Sequence, residues 1–396
     1  MTVKISDAIS MASVLLGGGF CLLGTSTALA MNFNIPTSAS IESAQMGGAS
    51  MAFAQSSAIA SDNPAGMAML GNRMDGGLQL FMAHFRSSFG SADNRDDFKV
   101  RVPIPSGGFN WAATDRLSLG MSMYSIGSGV DYEHAAVPGL GFPAAKTKVV
   151  FVNFAPTLAY KITPDFSLGV SMIIGVQHLQ ARGMVAPQPD GSLGVLPTHG
   201  VSTNMGIGGR VGVLWNLNSR ISVGASWSPK MRFADADGYK EDLLASAGGH
   251  LDLPAQYGAG VALHLTPDLT LAADYLRIEW ADVGFLNDPN GNGLHSQNVY
   301  RVGAAWNATP AFTLRAGFKQ ASKAVDSEHT NANYYAPGIL NDSLSAGLTW
   351  HATDQTDLSL GYEYHLPETI RGSGPSTGTN LGAHYSQVLM GIGMRF

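Results

Sequence analysis

Cysteine is almost missing from this chain: one residue in 396, Cys21. It falls in the N-terminal stretch read below as a removable leader, so the remaining chain has no disulfide and no thiol chemistry. Charge is scarce as well. Asp, Glu, Lys and Arg make up 13% of the chain, against about 25% in ordinary soluble domains. Beyond the leader no segment offers the ~20 uninterrupted apolar residues of a membrane helix. The formal net charge of -6 lacks the basic surplus of a nucleic-acid binder. The 11 histidines show neither HxxxH nor HExxH spacing, so no resident metal or cofactor is expected. No serine sits with plausible His and acid partners, which argues against a lipase, a protease or any other enzyme.

What the chain does have is glycine, 48 residues of it, and alternation. Low charge, abundant glycine and no spanning helix point to an all-β protein that crosses a membrane as a closed barrel. Residues 1–30 read as a signal peptide. Lys4 supplies the positive start, residues 9–23 the apolar core, and Ala28-Leu29-Ala30 a small-x-small cleavage site. Export from a Gram-negative cell follows.

From Arg73 onward one hairpin unit recurs. An alternating run meets a tight turn, and the next run opens apolar-Ser/Thr-apolar. The turns are Thr114-Asp115-Arg116, Thr163-Pro164-Asp165, Asn218-Ser219-Arg220, Thr266-Pro267-Asp268, Thr309-Pro310 and Thr353-Asp354-Gln355. Seven polar or Gly/Pro-rich loops separate them at residues 91–97, 134–145, 184–200, 239–249, 287–297, 321–341 and 369–383. Six short turns and seven loops join fourteen antiparallel strands, the even number that bacterial barrels require. Side chains alternate across a strand. In residues 166–177 Phe166, Leu168, Val170 and Met172 therefore share one face, and Ser167, Gly169, Ser171 and Gly175 the other. Apolar-out, small-and-polar-in suits a wall facing lipid; a soluble sandwich would not need such uniformly small inner faces. Trp111, Tyr160, Trp215, Trp306 and Trp350 each precede a short turn, as a periplasmic aromatic girdle would. The chain ends on Phe396. An aromatic end is what the barrel-assembly machinery of the outer membrane reads.

Residues 31–72 differ from the rest. They are rich in Ala, Ser, Gly and Met and do not alternate, as a segment packed inside something else would require. Asp62-Asn63-Pro64-Ala65-Gly66 forms a compact turn, since Asx side chains bond nearby backbone and Pro fixes φ. The expected organisation is a signal peptide (1–30), an N-terminal hatch with short helices (31–72) and a barrel (73–396). A loose N-terminus is the other reading of the hatch segment.

These residues resemble the FadL-type family, outer-membrane transporters of long-chain fatty acids and aromatic hydrocarbons. The likeness rests on Gln45-Met46-Gly47-Gly48-Ala49, on Asp62-Asn63-Pro64-Ala65-Gly66, and on Leu253-Pro254, Tyr300-Arg301-Val302-Gly303 and Thr313-Leu314-Arg315-Ala316-Gly317 in that order. The resemblance implies a fourteen-stranded barrel with an N-terminal hatch. It also implies a route from an external groove, through an inner apolar pocket, to a sideways exit at a kink in the third strand. Glycine inside a strand marks a bend, so Gly127 and Gly129 in the third strand (117–133) are the expected kink. Val185, Leu193, Val195 and Leu196 in the third loop, with Leu243 and Leu244 in the fourth, are the expected greasy groove. These loops packing on one another is the other reading.

Parity puts Arg210, Lys230, Arg301, Arg315 and Lys319 inside the barrel, with Asp274 and Glu363. They either pin the barrel to the hatch or hold a ligand's carboxylate, which needs a cation or several donors once buried. Burying a sixteen-carbon chain gains about 12 kcal/mol at ~0.8 per methylene. Capture is therefore easy, and release is the harder step. Passing the ligand sideways into lipid avoids returning it to water, so no energy source is expected in the chain. The expected partners are hydrophobic small molecules, the lipid and lipopolysaccharide of the outer membrane, and the assembly machinery, with no nucleic acid. A surface barrel that does not transport, such as an adhesin or phage receptor, is the alternative; so is uptake of aromatic hydrocarbons.

Overall fold

A computed structural model of the chain describes residues 37–187, 192–339 and 342–396. The leader and residues 31–36 of the expected hatch lie outside the described residues.

Sixteen strands follow in order: β1 (Arg73–Ser88), β2 (Arg95–Ala112), β3 (Leu117–Asp131), β4 (Lys146–Lys161), β5 (Phe166–Arg182), β6 (Val185–Pro187), β7 (Leu193–Val195), β8 (Ser202–Asn218), β9 (Ile221–Ser228), β10 (Gln256–His264), β11 (Leu269–Ile278), β12 (Gln297–Thr309), β13 (Phe312–Ala321), β14 (Ser343–His351), β15 (Thr356–Arg371) and β16 (Asn380–Arg395). Strands β6 and β7 pair only with each other, within one outer loop, and the other fourteen close a barrel in which β1 meets β16. All neighbours are antiparallel. The six short turns stand where the sequence places them, and every strand change at the other end passes through a loop. Lipid supplies no hydrogen-bond partners to a backbone, and closure satisfies the edges that an open sheet would leave.

Alternation sets the two faces. Val170, Met172, Met205, Ile207 and Val211 are exposed on the outer wall. Ser167, Ser171, Asn204 and Arg210 on the same strands are buried inside. Trp111, Tyr160, Trp215, Trp306 and Trp350 are all exposed just ahead of short turns, where an amphipathic ring suits the lipid interface.

The described part of the N-terminal segment lies inside this cylinder. A helical turn, Ile41–Ala44, starts at Ser40, whose hydroxyl accepts from the Ser43 N–H at 3.3 Å. It stops at Gly47 and Gly48, both at positive φ (67° and 88°). Two 3₁₀ turns follow, Ser57–Ser61 and Pro64–Met69, and Asn63 accepts from Ala65 N–H to cap the second. The Asn63 amide also donates to the carbonyls of Met51 (2.7 Å) and Val213 (2.9 Å), tying the turn to itself and to β8. Removing that amide would leave the buried Met51 carbonyl without its partner, on the order of 1–3 kcal/mol.

The inner-wall glycines explain how the segment fits. A Cβ on Gly169 would strike the backbone of Pro64 and Ala65, one on Gly212 would strike Asn63, and one on Gly224 would strike the Met51 carbonyl. Gly317 stands likewise against Met46 and Gly47. These are close approaches, and only a missing side chain allows them.

Three details depart from the sequence reading. The expected loop 369–383 is strand at both ends: Thr369, Ile370 and Arg371 pair with Gly382, Leu381 and Asn380, and residues 372–379 make the turn. Its Gly, Ser and Pro content masked the pairing. Lys230 does not point inward. It is exposed beyond the end of β9 and donates to the Asp282 carbonyl at 3.2 Å. Pro229 removes the next ladder donor, so the alternation cannot be carried past it. Strand β3 ends at Asp131, and Glu133 turns at φ 60°.

Deleting residues 44–66 is expected to leave a folded barrel that conducts ions across a planar bilayer, whereas the full-length protein stays silent. A silent deletion variant contradicts the occlusion of the lumen by this segment.

Candidate functional site

Above the N-terminal segment lies a cavity of about 910 Å³ of empty space, counting its open mouth. Its lining is apolar along the wall and loops, with Ile104, Tyr124, Ile126, Ile173, Met231 and Leu276. Thr37, Ser38, Met51 and Asp62 form its floor. One cation, Arg210, belongs to the lining.

The cavity abuts a window in the wall. β2 and β3 pair only from Ala112↔Ser118 to Gly107↔Met123. Beyond that point β2 stays on β1 as far as Ser88↔Arg95, and β3 stays on β4 as far as Asp131↔Lys146. Among the described residues no bridge joins the two strands above Gly107. The prolines of Val102-Pro103-Ile104-Pro105 account for the break. Alternate residues of a strand turn their N–H groups to the same side, so Pro103 and Pro105 share one edge. The ladder with β1 runs unbroken past both, so the missing donors belong to the edge facing β3. Pro156 shows the same effect on a smaller scale. It keeps its pairing with Met121 on β3, while the β4–β5 ladder skips from Phe154 to Thr157.

The window is bounded above. The Phe98 and Tyr132 rings meet edge-to-face with centroids 5.2 Å apart, and His134 bonds Asp96. Its two sides, Ile104 and Ser106 on β2 and Tyr124 to Ile126 on β3, all line the cavity. Ser125 belongs to the lining although its parity turns it towards the outer face, so the cavity reaches the wall. Of the expected kink, Gly127 pairs with Val150 in extended backbone. Gly129 pairs with Lys148 at φ 156°, where a Cβ would strike the Thr147 carbonyl. Both lie on the β3 side of the window. The prolines on the opposite side are what the sequence reading passed over; an alternating run with prolines at i and i+2 was the available signal.

The interior cations divide by partner. Arg301 donates to the Gly48 carbonyl (2.9 Å) and pairs with Asp62 (3.3 Å). Lys319 bonds Glu363 (2.9 Å) and the Thr37 hydroxyl (2.8 Å). Arg315 donates to Gln55 (2.8 Å) and Gln45 (3.4 Å), and reaches Thr349 on β14. These three tie the N-terminal segment to the wall. Arg210 does not. It donates to Gln256 at 3.3 Å, has no acid partner among the described residues, and its Nε is buried without an acceptor. Asp62, Asn63, Pro64, Ala65 and Gly66 are all buried between segment and wall.

Loops cover the outer mouth. Tyr132 and Tyr334 stack with centroids 4.3 Å apart, and Tyr334 donates to Asp96. Tyr335 accepts from Val185 N–H at 3.0 Å, and burial pushes its hydroxyl up to about 12. The six expected groove residues do not form one open face. Leu193 is exposed, Val185 pairs with Val195 in the β6–β7 hairpin, and Leu244 is fully buried. Leu243 packs on the core beneath, and Leu196 donates its N–H to the Met184 carbonyl.

Below the N-terminal segment lies a second cavity of about 1320 Å³ of empty space, lined by Glu42, Arg73, Arg315, Asp357 and Arg395 among others. Its charged walls suit water. Together the geometry defines a class: a closed fourteen-stranded barrel with a lipid-facing wall, its N-terminal segment packed within, and a greasy inner cavity beside a gap in the wall.

Comparison with known proteins agrees. The profile of the outer membrane protein transport family (OMPP1/FadL/TodX) matches residues 21–390. This chain belongs to that family: it is an outer-membrane transporter of hydrophobic compounds and not an enzyme. Among solved structures it is similar to the toluene transporter TodX of P. putida, at 17% identity and TM-score 0.70 over 92% of this chain and 99% of that one. A Pseudomonas aeruginosa FadL homologue is similar at 16% and TM-score 0.70, over 92% of this chain and 100% of that one. The Ralstonia pickettii toluene transporter TbuX is similar at 18% and TM-score 0.64, over 92% and 100% respectively. At these identities the likeness shows the fold. No curated protein matches the sequence.

The loops carry a pH-dependent clamp. Asp326 accepts from His329 (2.7 Å) in its own loop and bonds His295 (3.0 Å) of the preceding one. Burial pushes the Asp326 carboxyl up, but the bonds to His329 and His295 outweigh it and hold it below its usual 3.8. Burial pushes His329 down, but Asp326 and the Pro289 carbonyl outweigh that and raise it above 6.5. A raised histidine stabilises fully below its unfolded value and loses that contribution as pH climbs through the folded one; a depressed carboxyl loses its own as pH falls. Amide exchange protection of residues 322–339, corrected for intrinsic rates, should therefore peak between about pH 4 and 6.5 and fall towards pH 8. His329→Ala should remove the alkaline fall; protection that is flat with pH in the unaltered protein contradicts the clamp.

Proposed function

We propose that this chain carries long-chain fatty acids, holds the tail in the inner cavity with the carboxylate on Arg210, and releases the molecule sideways through the β2–β3 window into the membrane. The observation that carries this reading is the Arg210 guanidinium, which lines a greasy cavity, bonds the Gln256 amide and has no acid within ion-pair distance among the described residues. A buried charge without a counter-charge is costly, and an anionic ligand head would relieve that cost with bidentate geometry. The toluene carried by TodX and TbuX makes a neutral aromatic the competing substrate, but a neutral ring gives the guanidinium no counter-charge. Sideways release suits the energetics. The charged lower cavity offers an oily tail nothing, whereas bilayer hydrocarbon returns the whole burial energy.

Two outcomes test it. Arg210→Met should weaken binding of a sixteen-carbon fatty acid roughly 10- to 100-fold, the worth of a charged hydrogen bond, and leave toluene binding unchanged. Titration calorimetry checks this, and equal effects on both ligands contradict the carboxylate role. Pro103→Val with Pro105→Val restores two donors to the β2 edge, so β2 and β3 can zip together. Fatty-acid uptake by cells should then fall at unchanged barrel abundance; undiminished uptake contradicts the sideways route.

A further inference from the structure

The outer wall is electrostatically lopsided. Arg86 on β1, Lys99 and Arg101 on β2, Lys146 and Lys148 on β4, and Arg182 on β5 all lie near the loop end of their strands. Their parity is that of the lipid-facing residues: Lys99 and Arg101 alternate with the buried Val100 and Val102, and Lys148 with Thr147 and Val149. Arg86, Lys99 and Arg101 are exposed, and Lys146, Lys148 and Arg182 half-buried. Acids answer only part of this charge. Asp97 takes His84 (2.6 Å) and Arg86 (3.5 Å), and Asp131 takes Lys146 (2.8 Å). Lys99, Arg101 and Lys148 have no acid partner among the described residues. The outer wall from β10 to β15 is different. Its upper band carries Tyr257, Tyr300 and Tyr362, Arg277 there is neutralised by Glu279 at 3.1 Å, and Arg371 at the loop end of β15 is an isolated exposed cation rather than part of a cluster.

Cations at the edge of a hydrocarbon band, where apolar side chains give way to loops, sit at headgroup depth. Single-sign charge without protein counter-ions at that depth fits phosphate. We propose that this face is a binding site for the phosphorylated glycolipid of the outer leaflet. Lys99 and Arg101 on one side of the window and Lys148 on the other would grip the phosphates of its sugar headgroup, while its acyl chains lie on the wall below. The site is distinct from the inner cavity and does not depend on which compound the cavity takes.

The experiment uses the full barrel in neutral detergent with chelator present, and bisphosphorylated lipid A as probe, against the same acylated disaccharide stripped of its phosphates. Bound lipid is read by native mass spectrometry. The unaltered protein should retain the bisphosphorylated form far more strongly, and added salt should weaken it. Lys99→Gln with Arg101→Gln and Lys148→Gln should lower retention roughly 100-fold, taking each cation's usual worth at a charged surface. Arg277→Gln on the opposite wall should leave it unchanged. Heat-modifiable migration on gels reports that each variant is folded. Equal retention of the two lipids, or no loss in the triple variant, overturns the proposal. So does equally strong, equally Lys99-dependent retention of phosphatidylglycerol, which would make the patch a general anionic surface.

Discussion

A backbone in hydrocarbon must find its hydrogen-bond partners within the protein. That requirement closes the fourteen strands on themselves, and it makes any interruption of the ladder conspicuous. The β2–β3 seam is such an interruption. Two prolines an even step apart remove the donors on one edge of β2, and from Gly107 upward the two strands part. Elsewhere a free edge is covered: above Val211, where β9 has ended, β8 is bridged by the following loop at Gly206↔Phe233 and Ala234 N–H reaches the Met205 carbonyl. The wall is therefore sealed where sealing is possible, and opened where the inner cavity lies.

The interior follows from the same wall. Because glycine carries no side chain, the inner face at Gly169, Gly212, Gly224 and Gly317 lets another backbone approach. The N-terminal segment fills that space and is fastened by wall residues that meet its polar groups: Asp274 accepts from Ser50 and Met51, and Ser122 donates to the Ser57 carbonyl. Arg301, Arg315 and Lys319 are committed to this fastening. Arg210, on the far side of the cavity floor, keeps hydrogen-bonding capacity to spare. The division between charges that fasten the structure and one with hydrogen-bonding capacity to spare thus rests on which partners surround each one.

Much of this was legible in the residues. Strand count and turn positions follow from period-two alternation and from Thr/Asn/Asp/Pro turn chemistry, which are local. The seat of the N-terminal segment was foreshadowed by the small inner faces. The residues that went astray did so for local reasons too. Pro229 ends the alternation that had put Lys230 inside, and Gly- and Ser-rich composition hid the strand pairing around Ile370. Glycine in a strand points to Gly127 and Gly129 in β3, while the prolines that break the ladder stand across the seam on β2. Pinning and ligand-holding were both open for the basic residues, and which residue does which is hidden because their partners come from distant parts of the chain: Glu363 for Lys319, Asp62 for Arg301, and no acid for Arg210 among the described residues.

The account turns on where a bound hydrophobic molecule leaves the protein. A photoreactive fatty acid, loaded into the purified barrel in a lipid nanodisc and illuminated, marks the residues and lipids it passes. Adducts are expected on residues 104–106 and 124–126 and on the surrounding lipid. Adducts concentrated on Phe53, Gln55 and Thr349, in the charged cavity beneath the N-terminal segment, would contradict it.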